Sequence, residues 1–131
     1  MVGFAGETEE EFNESLSFAK EIGFAKAHIF AYSRRAGTVA YSLPRQVTNA
    51  EKSRRSSLMI EATRKSEEKF LSAQLEKTQE VLFETYQDGV AEGYTANYSR
   101  VAVKSAENLS GEIRNVKLLS YENEVCYGEL I

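Results

Sequence analysis

The sequence predicts an α+β chain: a β-α-β unit, a long helix, then a five-stranded OB-like antiparallel barrel. Three observations predict it. Residues 2–22 hold a strand end, a glycine turn and a capped amphipathic helix. A long, mostly polar helical segment opens shortly after the only proline, Pro44. From Glu80 onward the pattern changes to short strands separated by turn dipeptides. The expected boundaries are 1–47, 48–78 and 79–131.

In the first segment Val2 and Phe4 end a strand, and Gly3 and Gly6 let the backbone turn tightly. Thr8 and Glu11 form a capping box, with Glu9, Glu10 and Glu11 at the positive end of the helix dipole. Phe12, Leu16, Ala19 and Ile22 recur at helical spacing and make one apolar stripe. Gly23 fits the position after the last turn. Residues 25–32 read as a second, parallel strand covered on both faces. Residues 33–38 are a loop, and a short helical turn follows through Tyr41. An α/β domain does not begin on its last strands, so the chain is expected to be the C-terminal part of a larger protein. The partial sheet leaves an unpaired edge, a route to self-association.

Thr48-Asn49-Ala50-Glu51 reads as a second capping box. Its helix would run to about Thr78, on the order of 45 Å at ~1.5 Å per residue. Strands are expected at 81–86, 91–95, 99–104, 111–120 and 125–130, with Asp88-Gly89 and Ser110-Gly111 as turns. Five short strands in so little chain predict a closed small barrel.

Composition bounds the function. The 131 residues are 42% hydrophobic and 27% charged, with a net charge of −4. No global basicity points to nucleic acid or an anionic membrane. Charge is uneven: residues 45–77 carry 8 Lys/Arg against 5 Asp/Glu, and residues 78–131 carry 4 against 9. No apolar run approaches the ~20 residues that span a bilayer, and no signal peptide is visible, so no membrane partner is expected. The single cysteine, Cys126, excludes an internal disulfide framework and makes a reducing cytoplasm the default location. It reads as a small buried residue of a strand. His28, the only histidine, reads as a satisfied core or layer-interface residue.

Four places carry chemical potential. Backbone amides of the Gly3–Glu7 turn, at a helix N-terminus, are placed to hold an anion or a ligand's polar edge; the bland reading is a steric turn. The loop Tyr32–Thr38 brings an aromatic ring and two arginines, Arg34 and Arg35, to the end of the second strand, where ligands of open α/β sheets sit. Lys52, Arg54, Arg55, Arg64, Lys65 and Lys69 make the long helix basic, either for nucleic acid or as a solvated face paired with Glu61, Glu67 and Glu68. On the barrel, Tyr94, Tyr98, Arg100 and Lys104 gather around one strand pair, with Arg114 and Lys117 on the next, a mixture suited to RNA. No catalytic constellation and no metal-ligand spacing appears, so no catalytic residue and no metal site is assigned.

Taken in order, Val2-Gly-Phe-Ala-Gly-Glu-Thr8, Phe30-Ala-Tyr-Ser-Arg-Arg-Ala-Gly-Thr38, a long helix and Asp88-Gly-Val-Ala-Glu-Gly-Tyr-Thr-Ala-Asn-Tyr98 resemble the tRNA methylthiotransferases. These are radical-SAM enzymes that end in a TRAM domain. The chain departs from the family's usual prolines at Ala5, Arg34 and Ala36, and carries Ala31 where a further proline is common.

The resemblance implies that 1–47 ends a radical-SAM partial TIM-like barrel, 48–78 links, and 79–131 is a TRAM domain gripping the tRNA anticodon arm. The parent would add a methylthio group to a modified adenosine beside the anticodon, with the threonylcarbamoyladenosine branch closest. It would use S-adenosylmethionine and two 4Fe-4S clusters, whose cysteines would lie upstream. By position Gly3, Gly6, Glu7, Tyr32 and Arg34 would flank the S-adenosylmethionine and substrate site, and Tyr94, Tyr98, Arg100, Lys104, Arg114 and Lys117 would meet RNA. The fragment alone would bind no cofactor and be inert. The alternatives are a fragment of the sibling ribosomal-protein methylthiotransferases and a stand-alone RNA-binding module.

Overall fold

The computed structural model describes residues 1–131. They pack as two compact units, Met1–Glu67 and Glu68–Ile131.

The first unit is built on two helices. Helix α1, Glu9–Ile22, starts at Thr8, whose hydroxyl accepts from the Glu11 amide while the Glu11 carboxylate accepts from the Thr8 amide. It ends on Gly23 in the left-handed conformation, with the Gly23 amide donating to the Ala19 carbonyl. The expected capping box and glycine stop are both present. Phe12 and Ala19 are buried with Val2 and Met59, and Leu16 and Ile29 pack against them. Ile22, expected in the same stripe, is half exposed at 51%. A short 3₁₀ helix, Val39–Ser42, is capped by Thr38.

The expected second strand is corrected to a single parallel bridge between Val2 and Ala31. The Val2 amide donates to the Phe30 carbonyl, and the Tyr32 amide donates to the Val2 carbonyl. No further partner strand lies on either side, so pairing stops there. Phe24, Phe30 and His28 are consequently exposed rather than covered on both faces. The unpaired sheet edge expected here shrinks with the strand.

Helix α2, Asn49–Ser72, is shorter than expected. Thr48 caps it by accepting from the Glu51 amide. The reciprocal half of the second capping box is missing, because the Glu51 carboxylate is held by Arg54 and Arg55 instead. Beyond Ser72 the chain turns at residues 73–76, and Glu76 adopts a left-handed φ of 63°.

The second unit is a closed barrel of strands β1 (Thr78–Gln87), β2 (Val90–Thr95), β3 (Arg100–Lys104), β4 (Ile113–Glu122) and β5 (Val125–Leu130), in the order β1-β2-β3-β5-β4. Four pairings are antiparallel. The β3–β5 pairing is parallel, which corrects the all-antiparallel expectation: closing the ring brings the last strand alongside the third. Inward positions alternate along the strands, as Val81, Phe83, Val101, Val103, Val116, Leu118 and Cys126 fill the core with Leu71 of α2.

Closure depends on two glycines. Gly93 stands opposite Phe83 where β1 bulges between Phe83 and Thr85. Gly128 stands opposite Leu118 where β4 bulges between Leu118 and Ser120. A Cβ at Gly93 would collide with the Leu82 carbonyl, and one at Gly128 with the Lys117 carbonyl. Bulges tighten the local twist, and glycine lets the partner backbone follow it.

Candidate RNA-binding face and the glycine turn

On the barrel, β1 turns Leu82 outward between two outward carboxylates, Glu80 and Glu84. Register puts Tyr94 opposite Leu82 on one side and Ile113 opposite it on the other. Arg100 follows beside Tyr94. The resulting outer row of apolar side chains is exposed. Tyr98 joins it from the β2–β3 turn, its ring centroid 6.2 Å from that of Tyr94 at a tilt of 48°.

That turn is rigidly held. The Thr95 hydroxyl donates to the Asn97 side-chain oxygen at 2.6 Å and accepts from the Ser99 amide at 3.0 Å. The Ser99 hydroxyl also donates to Asn97, at 2.9 Å. The Tyr98 amide donates to the Thr95 carbonyl, and Tyr98 adopts a left-handed φ of 63°. This conformation is costly for a bulky residue. Its consequence is a ring that is 84% exposed. A pre-positioned exposed aromatic is what base stacking needs.

The six barrel residues expected to meet RNA fall into three places. Tyr94, Tyr98 and Arg100 come together. The Arg100 guanidinium is paired with Glu92 at 2.6 Å. Lys104 and Arg114 line a separate cavity of about 370 Å³ with Ser105, Leu109 and Leu130. Lys117 pairs with Glu76 at 2.9 Å, which raises its pKa. The expected grouping of Lys104 with Tyr94, Tyr98 and Arg100 is therefore divided, because Lys104 sits at the far end of β3, opposite Val90. Sequence reading missed Leu82, Ile113, Glu80 and Glu84 as neighbours of the tyrosines. The signal was present in the outward phase of β1, but only the register shows which residues share the row.

In the first unit the glycine turn is tied to α2. The Glu7 carboxylate accepts from the Gly3 amide at 2.9 Å and from Arg55 Nη1 at 2.6 Å. Arg55 is buried, at 5% exposure, and also reaches Glu51 and the Glu7 carbonyl. Lys52 lays its stem against Gly3, where a Cβ would collide with it, and its Nζ donates to the Tyr32 carbonyl at 3.0 Å. Gly3, Glu7 and Tyr32 thus meet through Lys52 and Arg55. The Gly6 amide donates to the Arg45 carbonyl and the Glu7 amide to the Phe4 carbonyl. Arg34 turns away, donating to the Tyr41 carbonyl and stacking 4.2 Å over the Tyr41 ring. The basic helix is likewise engaged locally: Arg54 binds Glu9 and Glu51, and Lys65 binds Glu61.

These contacts bear on cofactors. The amides of Gly3, Gly6 and Glu7 are all satisfied within the fold, so they offer no free donor to an anion or to S-adenosylmethionine. Tyr32 differs: it is buried, and its hydroxyl has no partner. Iron–sulfur clusters are held by cysteine thiolates. The only cysteine, Cys126, is enclosed in the barrel with its thiol pKa pushed up by burial, and no group of three His, Cys, Asp or Glu side chains is placed to hold a metal. The residues present do not fit a cluster. No helix is long and apolar enough to cross a membrane.

Comparison with known proteins finds homologues. The chain is 36% identical over 124 residues to the threonylcarbamoyladenosine tRNA methylthiotransferase MtaB of Bacillus subtilis, covering 91% of this chain and 28% of that protein. It is 33% identical to the tRNA-2-methylthio-N(6)-dimethylallyladenosine synthase of Caldicellulosiruptor saccharolyticus, and 39% identical to that of a Thermoanaerobacter species. Both of these alignments cover 100% of this chain and 28% of the relative. This chain is a homologue of a segment of the tRNA methylthiotransferases. It spans somewhat over a quarter of the length of the relatives it matches. No protein-family model matches it. Both nucleoside branches of the tRNA methylthiotransferases are represented at similar identity, so identity does not separate them. All three relatives are tRNA enzymes by name, which does not favour the ribosomal-protein alternative.

Proposed function

We propose that this chain is the RNA-gripping part of a tRNA methylthiotransferase that adds a methylthio group to a modified adenosine beside the anticodon. The observation that carries this reading is the Tyr94–Tyr98 pair, held exposed on a closed OB-like barrel by a hydrogen-bonded turn. Single-stranded nucleic acid binds such barrels by stacking bases on aromatic rings while cations at the margin meet the backbone. Arg100 beside the tyrosines, and Lys104 with Arg114 around the barrel's second cavity, supply those cations. The acidic balance of the barrel makes this a local grip on an unpaired loop.

The first unit contributes position rather than chemistry. Gly3, Gly6 and Glu7 fix the backbone entering α1. In the parent, S-adenosylmethionine would supply the methyl group and the radical, and of the residues expected around it Tyr32 has a buried hydroxyl with no partner. No residue here performs a catalytic step, and the isolated chain is expected to be inactive. The threonylcarbamoyladenosine branch is the nucleoside class we favour, on the motif from Glu92 to Ser99.

The test is titration of the chain into a fluorescent anticodon stem-loop. Binding that weakens steeply with salt, and that is lost in Tyr98→Ala, supports the reading. Equal binding by wild type and Tyr98→Ala refutes the assignment of this face.

A further inference from the structure

The exposed face holds a groove of about 580 Å³ whose lining includes Leu82, Tyr94, Tyr98, Ile113 and the carboxylates of Glu80 and Glu84, with no lysine or arginine. Neither glutamate makes an ion pair or a side-chain hydrogen bond. Two unengaged carboxylates repel phosphate, so the groove is not where an RNA backbone lies. They accept hydrogen bonds and donate none when ionised. The occupant must therefore be flat, to stack on the tyrosines, and must present donors at its edge.

Among the bases, guanine alone places two donors side by side, N1–H and the N2 amino group, matching the two oxygens of one carboxylate. Adenine and cytosine each offer one amino group next to an acceptor. Uracil offers one N–H between two carbonyls that a carboxylate repels. We propose that this groove is a guanine-selective pocket, in which an unpaired guanine stacks on Tyr94 and Tyr98 and donates N1–H and N2–H to the carboxylate of Glu80 or Glu84. The inference rests on the RNA-binding reading above and adds base selectivity to it.

The experiment uses the whole chain and labelled single-stranded hexamers, identical except for one central guanosine, inosine or adenosine. Inosine keeps N1–H and lacks the N2 amino group. The guanosine strand should bind about tenfold more tightly than the adenosine strand, the effect expected of a two-point base contact. Inosine should fall between them. The Glu80→Gln, Glu84→Gln double variant should erase the guanosine preference while binding the adenosine strand at least as well as wild type. Equal binding of all three strands by wild type overturns the selectivity and leaves the RNA reading standing. An arginine-rich peptide that binds when no RNA strand does overturns both, and makes the groove a protein-docking site.

Discussion

Arg55 Nη1 lies 2.6 Å from Glu7 Oε1, and that same Glu7 oxygen accepts the Gly3 amide. One buried guanidinium therefore fixes the turn that leads into α1. Removing one partner of a buried pair leaves the other charge unpaired, which costs about 3–5 kcal/mol. Arg55→Ala should destabilise the first unit by that order, read as faster amide exchange in α1. Arg55→Met combined with Glu7→Gln should recover much of the loss, because no charge is then stranded. A pair that contributed only surface attraction would show neither the loss nor the recovery.

Glu51 gives the first unit a pH dependence. Hydrogen bonds from Arg54, then Arg55, lower its pKa from the usual 4.5 to about 2. A carboxylate whose folded pKa is depressed stabilises the fold above its unfolded pKa and loses that contribution as pH falls. The loss should lie between about pH 4.5 and about 2, within the range these values set. Acid titration of α1 and α2 helicity should show a decline in this window that Glu51→Gln reduces, the remainder including Glu61, whose carboxyl Lys65 also holds below its usual range. An unchanged acid profile in that variant would reject the assignment.

The barrel glycines should be intolerant for a reason unlike that of an ordinary turn glycine. At Gly93 and Gly128 a methyl group would collide with a partner-strand carbonyl, so the backbone of a closed ring must open. Each alanine variant should cost about 4 kcal/mol or more, at the extreme end of single substitutions. Gly111 is the control: its φ is 85° and nothing lies near an added Cβ, so only backbone strain of about 1–3 kcal/mol applies. Urea midpoints of the three variants should separate accordingly, with Gly111→Ala the mildest.

Local signals in the sequence foretold what local forces decide. The Thr8 capping box, the Gly23 stop, the 3₁₀ turn before Pro44 and five strands all rest on neighbours close in sequence. Residues 25–32 read as a strand because they are largely apolar, yet a strand needs partners, and Val2 alone supplies one. The parallel β3–β5 pairing joins residues whose contact depends on ring closure, which no periodicity records. The site divided in the same way. Tyr94 and Tyr98 were legible because a four-residue turn brings them together, whereas Leu82 and Ile113 reach them only through cross-strand register. Arg55 looked like part of a solvated basic face, because helical spacing does not show that Glu7 waits across the unit.

Tyr98 should separate stability from function. Its left-handed φ of 63° is unfavourable for a tyrosine and free for glycine. Its ring is almost fully exposed, so folding gains little from it. Tyr98→Gly should therefore keep or raise the barrel's stability, by up to about 1 kcal/mol. Its RNA affinity should fall by about fivefold to a hundredfold, the range of one lost base stack. Tyr98→Phe should retain both, since stacking uses the ring face. Thermal unfolding and RNA titration on the same preparations decide the matter. A Tyr98→Gly variant that unfolds earlier and binds normally would show that the residue serves the fold.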